Sequence, residues 1–263
     1  MELGSEILIE MGDSFVGPHL KMSESLPRFK TMSAIKVRAK LRSLASPDNA
    51  KASARYFGIV PGKYGEGDTL IGVRVPALRK LAREFQSLPL TEVETLLQSS
   101  IHEERLLALL ILVRVVDKCS TDTRKTVFGL YLSNTQHVNN WDLVDRSAPA
   151  IAGGWLFDKS RQPLIRLANS ANLWERRIAI VATQYFIRLN DFDETLKICK
   201  LLLADQEDLI HKATGWMLRE VGKRNRLVLE QFLDEYGFTM PRTMLRYAIE
   251  HLLPHRRREY LAR

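Results

Sequence analysis

Three tryptophans and one carboxylate are the residues of this sequence best suited to chemistry. They stand in Trp141-Asp142-Leu143-Val144-Asp145, Trp174-Glu175-Arg176-Arg177 and Lys212-Ala213-Thr214-Gly215-Trp216. Tryptophan is large and apolar, yet here it recurs among charges. An indole face attracts a cation, and a fixed carboxylate stabilises positive charge as it develops. Asp145 follows Trp141 by four residues, so a helix projects both from one side. Such groups suit a charged, electron-poor substrate. Two plainer assignments compete with that reading: Asp145 as a structural partner of Arg146 or Arg177, and tryptophan as core filling. Core filling is the expectation for Trp155, within Gly153-Gly154-Trp155-Leu156-Phe157.

Helices must position these groups. Ile35, Val37, Leu41 and Leu44 recur at helical spacing after Ser33, and Ser46-Pro47 opens a helix with an N-cap and a first-turn proline. Thr91-Glu92-Val93-Glu94 has the form of a capping box. Further helical runs are predicted at 75–87, 91–99, 102–118, 121–136, 140–157, 160–169, 173–189, 191–204, 206–223, 226–236 and 241–253. No run alternates as a strand does. The long irregular stretch begins at Gly58 and ends near Val75-Pro76. A loop of that length in a helical protein is often functional. Its glycines and Tyr64 could touch a ligand, or the loop could cap the first helices.

A degenerate repeat organises the helices. Basic residues lead apolar helical segments at Arg105, Arg177, Lys212 and Arg246, the last three spaced by 35 and 34 residues (212 − 177 and 246 − 212). The gap of 72 residues (177 − 105) leaves room for one further repeat around Asp145 and Arg146. Helix pairs at this period build HEAT-like solenoids, in which equivalent helices line one concave face. The predicted fold is therefore an all-α, HEAT-like helical-repeat solenoid with a concave basic groove. In it, Arg105, Asp145 or Arg146, Arg177, Lys212 and Arg246 would form a row.

The chain has 263 residues, 45% of them apolar, and a net charge of +8. That charge favours an anionic partner, nucleic acid above all. A row of Arg and Lys suits a phosphate backbone, and Lys80, Arg83, Lys223, Arg224, Arg226 and Arg256-Arg257-Arg258 could widen the footprint. For any one of these residues a solvated helix face is the plainer reading. Cys119 and Cys199 are too few for a disulfide framework and fit no metal spacing. No signal peptide is evident, and the apolar stretch Leu106 to Val116 is interrupted by Arg114. It reads as a buried core helix rather than a membrane span. The expectation is a cytoplasmic protein without metal or organic cofactor. Residues 1–31 lack periodicity and are expected to form a loosely ordered extension before a helical domain over 32–263.

From about Met32 to the C-terminus the chain resembles the AlkD-like DNA alkylation repair proteins, which are HEAT-like-repeat DNA glycosylases. The resemblance rests on Ala54-Arg55-Tyr56, the Trp141–Asp145 motif, Trp174-Glu175-Arg176-Arg177, and Lys212-Ala213-Thr214-Gly215-Trp216-Met217-Leu218-Arg219-Glu220. It implies Asp145 as the catalytic carboxylate, Trp141 and Trp216 beside the lesion, Arg177 on the phosphate side, and Tyr56 as the N-terminal tyrosine. Trp174 becomes a support for Arg177. The Gly58–Val75 loop is longer than in the best-studied members and is typical of another branch. The extension over residues 1–31 has no evident counterpart.

What the resemblance implies about activity is specific. The substrate would be double-stranded DNA with N3- or N7-alkylated purines, and the protein a monomer. Asp145 would stabilise the cationic sugar left as the base departs, and the lesion would stay near the stack instead of entering a base pocket. No lysine adjoins Asp145, which points to a monofunctional glycosylase without lyase action. Two rivals stay open: a non-catalytic HEAT-like protein that binds distorted or branched DNA, and a protein-interaction scaffold.

Overall fold

The computed structural model describes residues 32–262, and the expected extension over residues 1–31 lies outside them. The described helices are α1 (Ala34–Arg42), α2 (Pro47–Ala54), α3 (Val75–Glu84), α4 (Leu90–Leu97), α5 (His102–Val116), α6 (Thr121–Ser133), α7 (Trp141–Ala148) and α8 (Gly154–Leu156). They continue with α9 (Gln162–Ala168), α10 (Leu173–Ala182), α11 (Gln184–Arg188), α12 (Asp193–Leu201), α13 (Asp208–Arg224), α14 (Arg226–Tyr236), α15 (Arg242–Ala248) and α16 (Pro254–Ala262). Among the described residues there is no strand, only an isolated parallel bridge between Thr69 and Ile101. The protein has an all-α helical-repeat fold. No helix is long and apolar enough to cross a membrane among the described residues.

The repeat read from the sequence corresponds to a row of helices. α5 packs on α7, α7 on α10, α10 on α13 and α13 on α15, while α4, α9 and α14 flank α5, α10 and α13. The recurrent positions Arg105, Asp145, Arg177, Lys212 and Arg246 fall one on each helix of that row. α5 is buried almost all round, with Leu106 to Leu112 unbroken in the core. A helix apolar on every side belongs inside. Close approach within the row needs a missing side chain: a Cβ on Gly215 of α13 would stand 2.4 Å from the Met244 carbonyl oxygen of α15.

Local signals account for the helix ends. Ser46 accepts a hydrogen bond from the Asn49 amide with Pro47 in the first turn of α2, as expected. Asn172 accepts from the Trp174 amide and so starts α10. The capping box expected at Thr91 does not form. α4 begins at Leu90 with Pro89 as N-cap, and Glu92 instead accepts a hydrogen bond from the Ala34 amide at 2.7 Å. The carboxylate that the box would use locally, Glu94, accepts a hydrogen bond from Asn134 Nδ2 at 2.8 Å. The Arg256–Arg258 cluster lies on α16, a helix beyond the predicted runs, with Arg256 paired to Glu259 and Glu230.

The region 140–157, predicted as one helix, is interrupted by a π-helical turn at Pro149–Gly153. Proline has no amide hydrogen to donate to the carbonyl four residues back, which here belongs to Asp145. The distortion therefore begins on the turn that carries Asp145. Such turns inside α-helices often mark functional sites.

Candidate active site

Asp145 on α7 and Arg177 on α10 meet across the helix row. Arg177 donates from Nε to Asp145 Oδ1 at 3.0 Å and from Nη2 to Oδ2 at 2.9 Å. Its Nη1 donates to the Leu209 carbonyl oxygen at 2.5 Å. This bidentate fork fixes the carboxylate in plane and position. Burial pushes the Asp145 carboxyl above its ordinary range, while the Arg177 charge and hydrogen bonds pull the other way. Arg177 is 5% exposed, so its guanidinium is spent inside the protein.

Asp145 also borders open space. A cleft of about 300 Å³ is lined by Arg124, Asp145, Arg146, Trp155, Tyr185 and Arg188 among others. A second, of about 390 Å³, shares Val113, Asp117, Asp145 and Arg146 with it and adds Arg79, Arg83 and Arg114. A third shares Gln184 and Arg188 with the first and adds Glu220, Lys223 and Arg224. Arginine thus borders the space on both sides of a single largely buried carboxylate.

Trp141 sits one turn before Asp145 and is partly buried in an aromatic cluster. The Tyr56 ring meets it edge-on at 5.2 Å, and the Phe57 ring stacks at 5.7 Å. The loop between α2 and α3 holds these two rings in place. Glu103 accepts hydrogen bonds from the amides of Ile71, Gly72 and Val73. Asp68 pairs with Arg105 at 2.5 Å and with His102 at 3.4 Å, and Asn140 donates to the Phe57 carbonyl oxygen at 2.8 Å. Gly72 has φ +79°, and a Cβ there would lie 2.0 Å from the Ser46 carbonyl oxygen. Of the two roles open to this loop, the contacts favour bracing the first helices. Tyr64 itself leans on Trp174, 5.7 Å between ring centres.

A family profile described as a DNA alkylation repair enzyme matches residues 37–252. The chain belongs to the DNA alkylation repair enzyme family. Among solved structures, it resembles a predicted DNA alkylation repair enzyme from Enterococcus faecalis at 20% identity and a TM-score of 0.62, over 80% of this chain and 97% of that one. It is also similar to smu.31 from Streptococcus mutans UA159 at 15% identity and a TM-score of 0.47, over 82% and 95% of the respective chains. No curated protein matches the sequence. Membership in the DNA alkylation repair enzyme family supports an enzymatic role in alkylation damage repair, with DNA as the substrate.

Within this family member the expected site residues divide. Asp145, Arg146, Trp141 and Trp216 are each partly exposed, and Trp216 donates its indole N–H to Glu220 at 3.2 Å. Tyr56 is 67% exposed beside Trp141. Lys212 pairs with Asp208 at 2.7 Å while keeping partial exposure, and Arg246 is exposed on α15. Arg105 is a correction to the expected basic row. It is 2% exposed and bonded to Asp68, Asn139 and the Ser99 carbonyl oxygen, so it ties the loop to α5 and presents no charge to a phosphate. Arg177 likewise faces a carboxylate and a carbonyl where a phosphate was expected. Trp174 is buried in the core, and Trp155 packs against the core, stacked on Phe128, while also lining the first cleft with Lys159 over its ring at 4.2 Å.

The cleft arginines Arg79, Arg114, Arg124 and Arg188 were not singled out from the sequence. They are out of phase with the repeat, and Arg114 stood out only as an interruption in an apolar helix. Among the described residues no group of His, Cys, Asp and Glu is arranged to hold a metal ion.

Proposed function

We propose that this protein is a monofunctional DNA glycosylase that hydrolyses the N-glycosidic bond of cationic N3- or N7-alkylated purines in duplex DNA. The observation that carries the reading is the Asp145 carboxylate, locked by the Arg177 fork and set between clefts bordered by arginine. Those clefts, taken end to end, are the basic groove along which a duplex backbone would lie. The C1′–N bond breaks with both electrons leaving on the base, which departs neutral. Positive charge then builds on the deoxyribose, where a pre-set carboxylate stabilises it without reorganising. Water adds to C1′ and gives up a proton to Asp145 or to solvent.

Other residues fit auxiliary parts. Trp141 and Trp216 offer indole faces to the sugar cation, and Tyr56 extends the Trp141 surface. Arg146, Lys212 and Arg246 are the phosphate contacts from the original row, joined by Arg79, Arg83 and Arg188. Arg177 holds Asp145 in place and in its ionised form. Arginine, not lysine, lines the two clefts that contain Asp145. A guanidinium stays protonated and does not attack a sugar aldehyde, consistent with base release without lyase action.

Release of 7-methylguanine and 3-methyladenine from methylated duplex DNA tests the proposal. Asp145→Asn should retain DNA binding and lose about 10²- to 10³-fold in release, the usual scale for one electrostatic group at a reacting centre. Tight binding by wild type with no base released would instead favour a non-catalytic DNA-binding protein.

A further inference from the structure

The motif from Lys212 to Glu220 supplies Lys212 and Trp216 to the proposed function and leaves its last residue, Glu220, without a part. Trp216, Glu220 and Lys223 follow one another along one face of α13 at spacings of four and three residues. Side chains lean toward the N-terminus of their helix, so Glu220 leans back over the turn that carries Trp216. Its Oε1 accepts from Trp216 Nε1 at 3.2 Å and from Lys223 Nζ at 2.7 Å. Arg219 Nε stands 3.7 Å from the same oxygen, and Arg219 is itself paired with Glu250. The Glu220 carboxylate is thus held by cations on the side that meets the indole. It also lines the third cleft, where Arg188, Lys223 and Arg224 stand and where it is the sole acid among the described lining residues.

What this contact does follows from the charge distribution of an indole. Its ring is negative on the face and positive at the edge, and its single N–H donor lies in that edge. A face turned toward a cation attracts it, whereas an N–H edge turned the same way repels it. An unheld N–H would also seek a phosphate or base oxygen and swing the ring edge-on to DNA. Glu220 engages the N–H along α13, so the ring face is what Trp216 has left to offer. We propose that Glu220 is a positioning residue that sets Trp216 face-on to the sugar cation. This role rests on the glycosylase reading. Because Lys223 and Arg219 hold the carboxylate, the ring is set in advance and needs no reorganisation as charge develops.

Two measurements on the full chain test this. In single-turnover release of 7-methylguanine from methylated duplex, Glu220→Ala should lower the rate about three- to tenfold, the scale of one cation–π contact. Its affinity for the duplex should hold or rise, because the substitution removes an acid from a basic cleft. Glu220→Gln keeps an oxygen for the indole and should keep the rate close to wild type. In a Trp216→Phe background, which has a ring but no N–H, Glu220→Ala should cost nothing further. An undiminished rate in Glu220→Ala, a loss of affinity in step with the rate, or the same loss in the Trp216→Phe background would each overturn the proposal. The indole N–H resonance of Trp216, identified as the one missing in Trp216→Phe, reads the contact without any reaction. It should move upfield and exchange faster in Glu220→Ala and stay near its wild-type place in Glu220→Gln; an unmoved resonance in Glu220→Ala overturns the proposal. Wild type that releases no base overturns the proposed function instead, and the resonance then judges the hold on Trp216 alone.

Discussion

A carboxylate that must stay ionised in a largely buried position needs a cation beside it, and Arg177 is that cation for Asp145. Burial raises the Asp145 pKa and Arg177 opposes the rise, with the net shift upward. Activity that depends on ionised Asp145 should therefore fall on the acid side at a pH above the ordinary carboxylate range. Arg177→Gln removes the opposing charge, so this acid limb should move further up in pH and the neutral-pH rate should drop. A pH–rate profile of base release checks both. An unchanged limb in Arg177→Gln would return Arg177 to a phosphate-binding role. The same residue also explains why a row of basic positions cannot be read as a row of DNA contacts: Arg105 and Arg177 occupy in-phase sites, and both spend their charge on internal acids.

Elements depend on each other through the buried His102. It joins the loop at Asp68 to α7 at Asp142. Burial acts to lower its pKa, but the hydrogen bonds to Asp142 and Asp68 outweigh burial and raise it from 6.5 to about 9. A folded pKa above the unfolded one adds stability that is fully present below pH 6.5 and is lost as pH rises through about 9. Thermal unfolding of wild type should show Tm declining across that window. His102→Gln should start lower and decline less, and an equal decline in both would remove His102 from the account. On α7 itself, Pro149 leaves the Asp145 carbonyl without its usual amide partner and starts the π turn. This places the irregularity beside the carboxylate and away from the packed Leu143 and Val144.

At the scale of the molecule, the net charge of +8 takes on a location. Clefts that share lining residues carry Arg79, Arg83, Arg114, Arg124, Arg146 and Arg188 on both sides of Asp145. If a duplex lies along them, binding must release counterions and weaken steeply with salt. Each arginine that contacts a phosphate should contribute about 0.9 to the slope of log K against log salt. Arg83→Ala and Arg188→Ala should each shallow that slope by about one contact, measured with unmodified duplex, and Arg105→Ala should not shallow it. Equal slopes for all three variants would argue against these clefts as the DNA track.

Much of the helical layout was legible in order: apolar periodicity marks the row from α5 to α15, and Trp141 with Asp145 at four-residue spacing marks one face of α7. These are local properties, set by helix geometry and by which side chains avoid water. The capping box at Thr91 does not form because α4 starts earlier, with Pro89 as N-cap, and Glu94 is held by Asn134, 40 positions away in sequence. Pairing is the part that periodicity cannot express. Whether Trp155 or Trp174 faces a cleft, whether Arg105 is spent on Asp68, and whether Asp142 or Asp145 is bound by a guanidinium depend on which helices meet. The sequence by itself determined the helices, the positive balance and the residue types available for chemistry. Only the tertiary structure decided which charges neutralise each other inside and which face open space, because that outcome depends on packing between segments far apart in the chain.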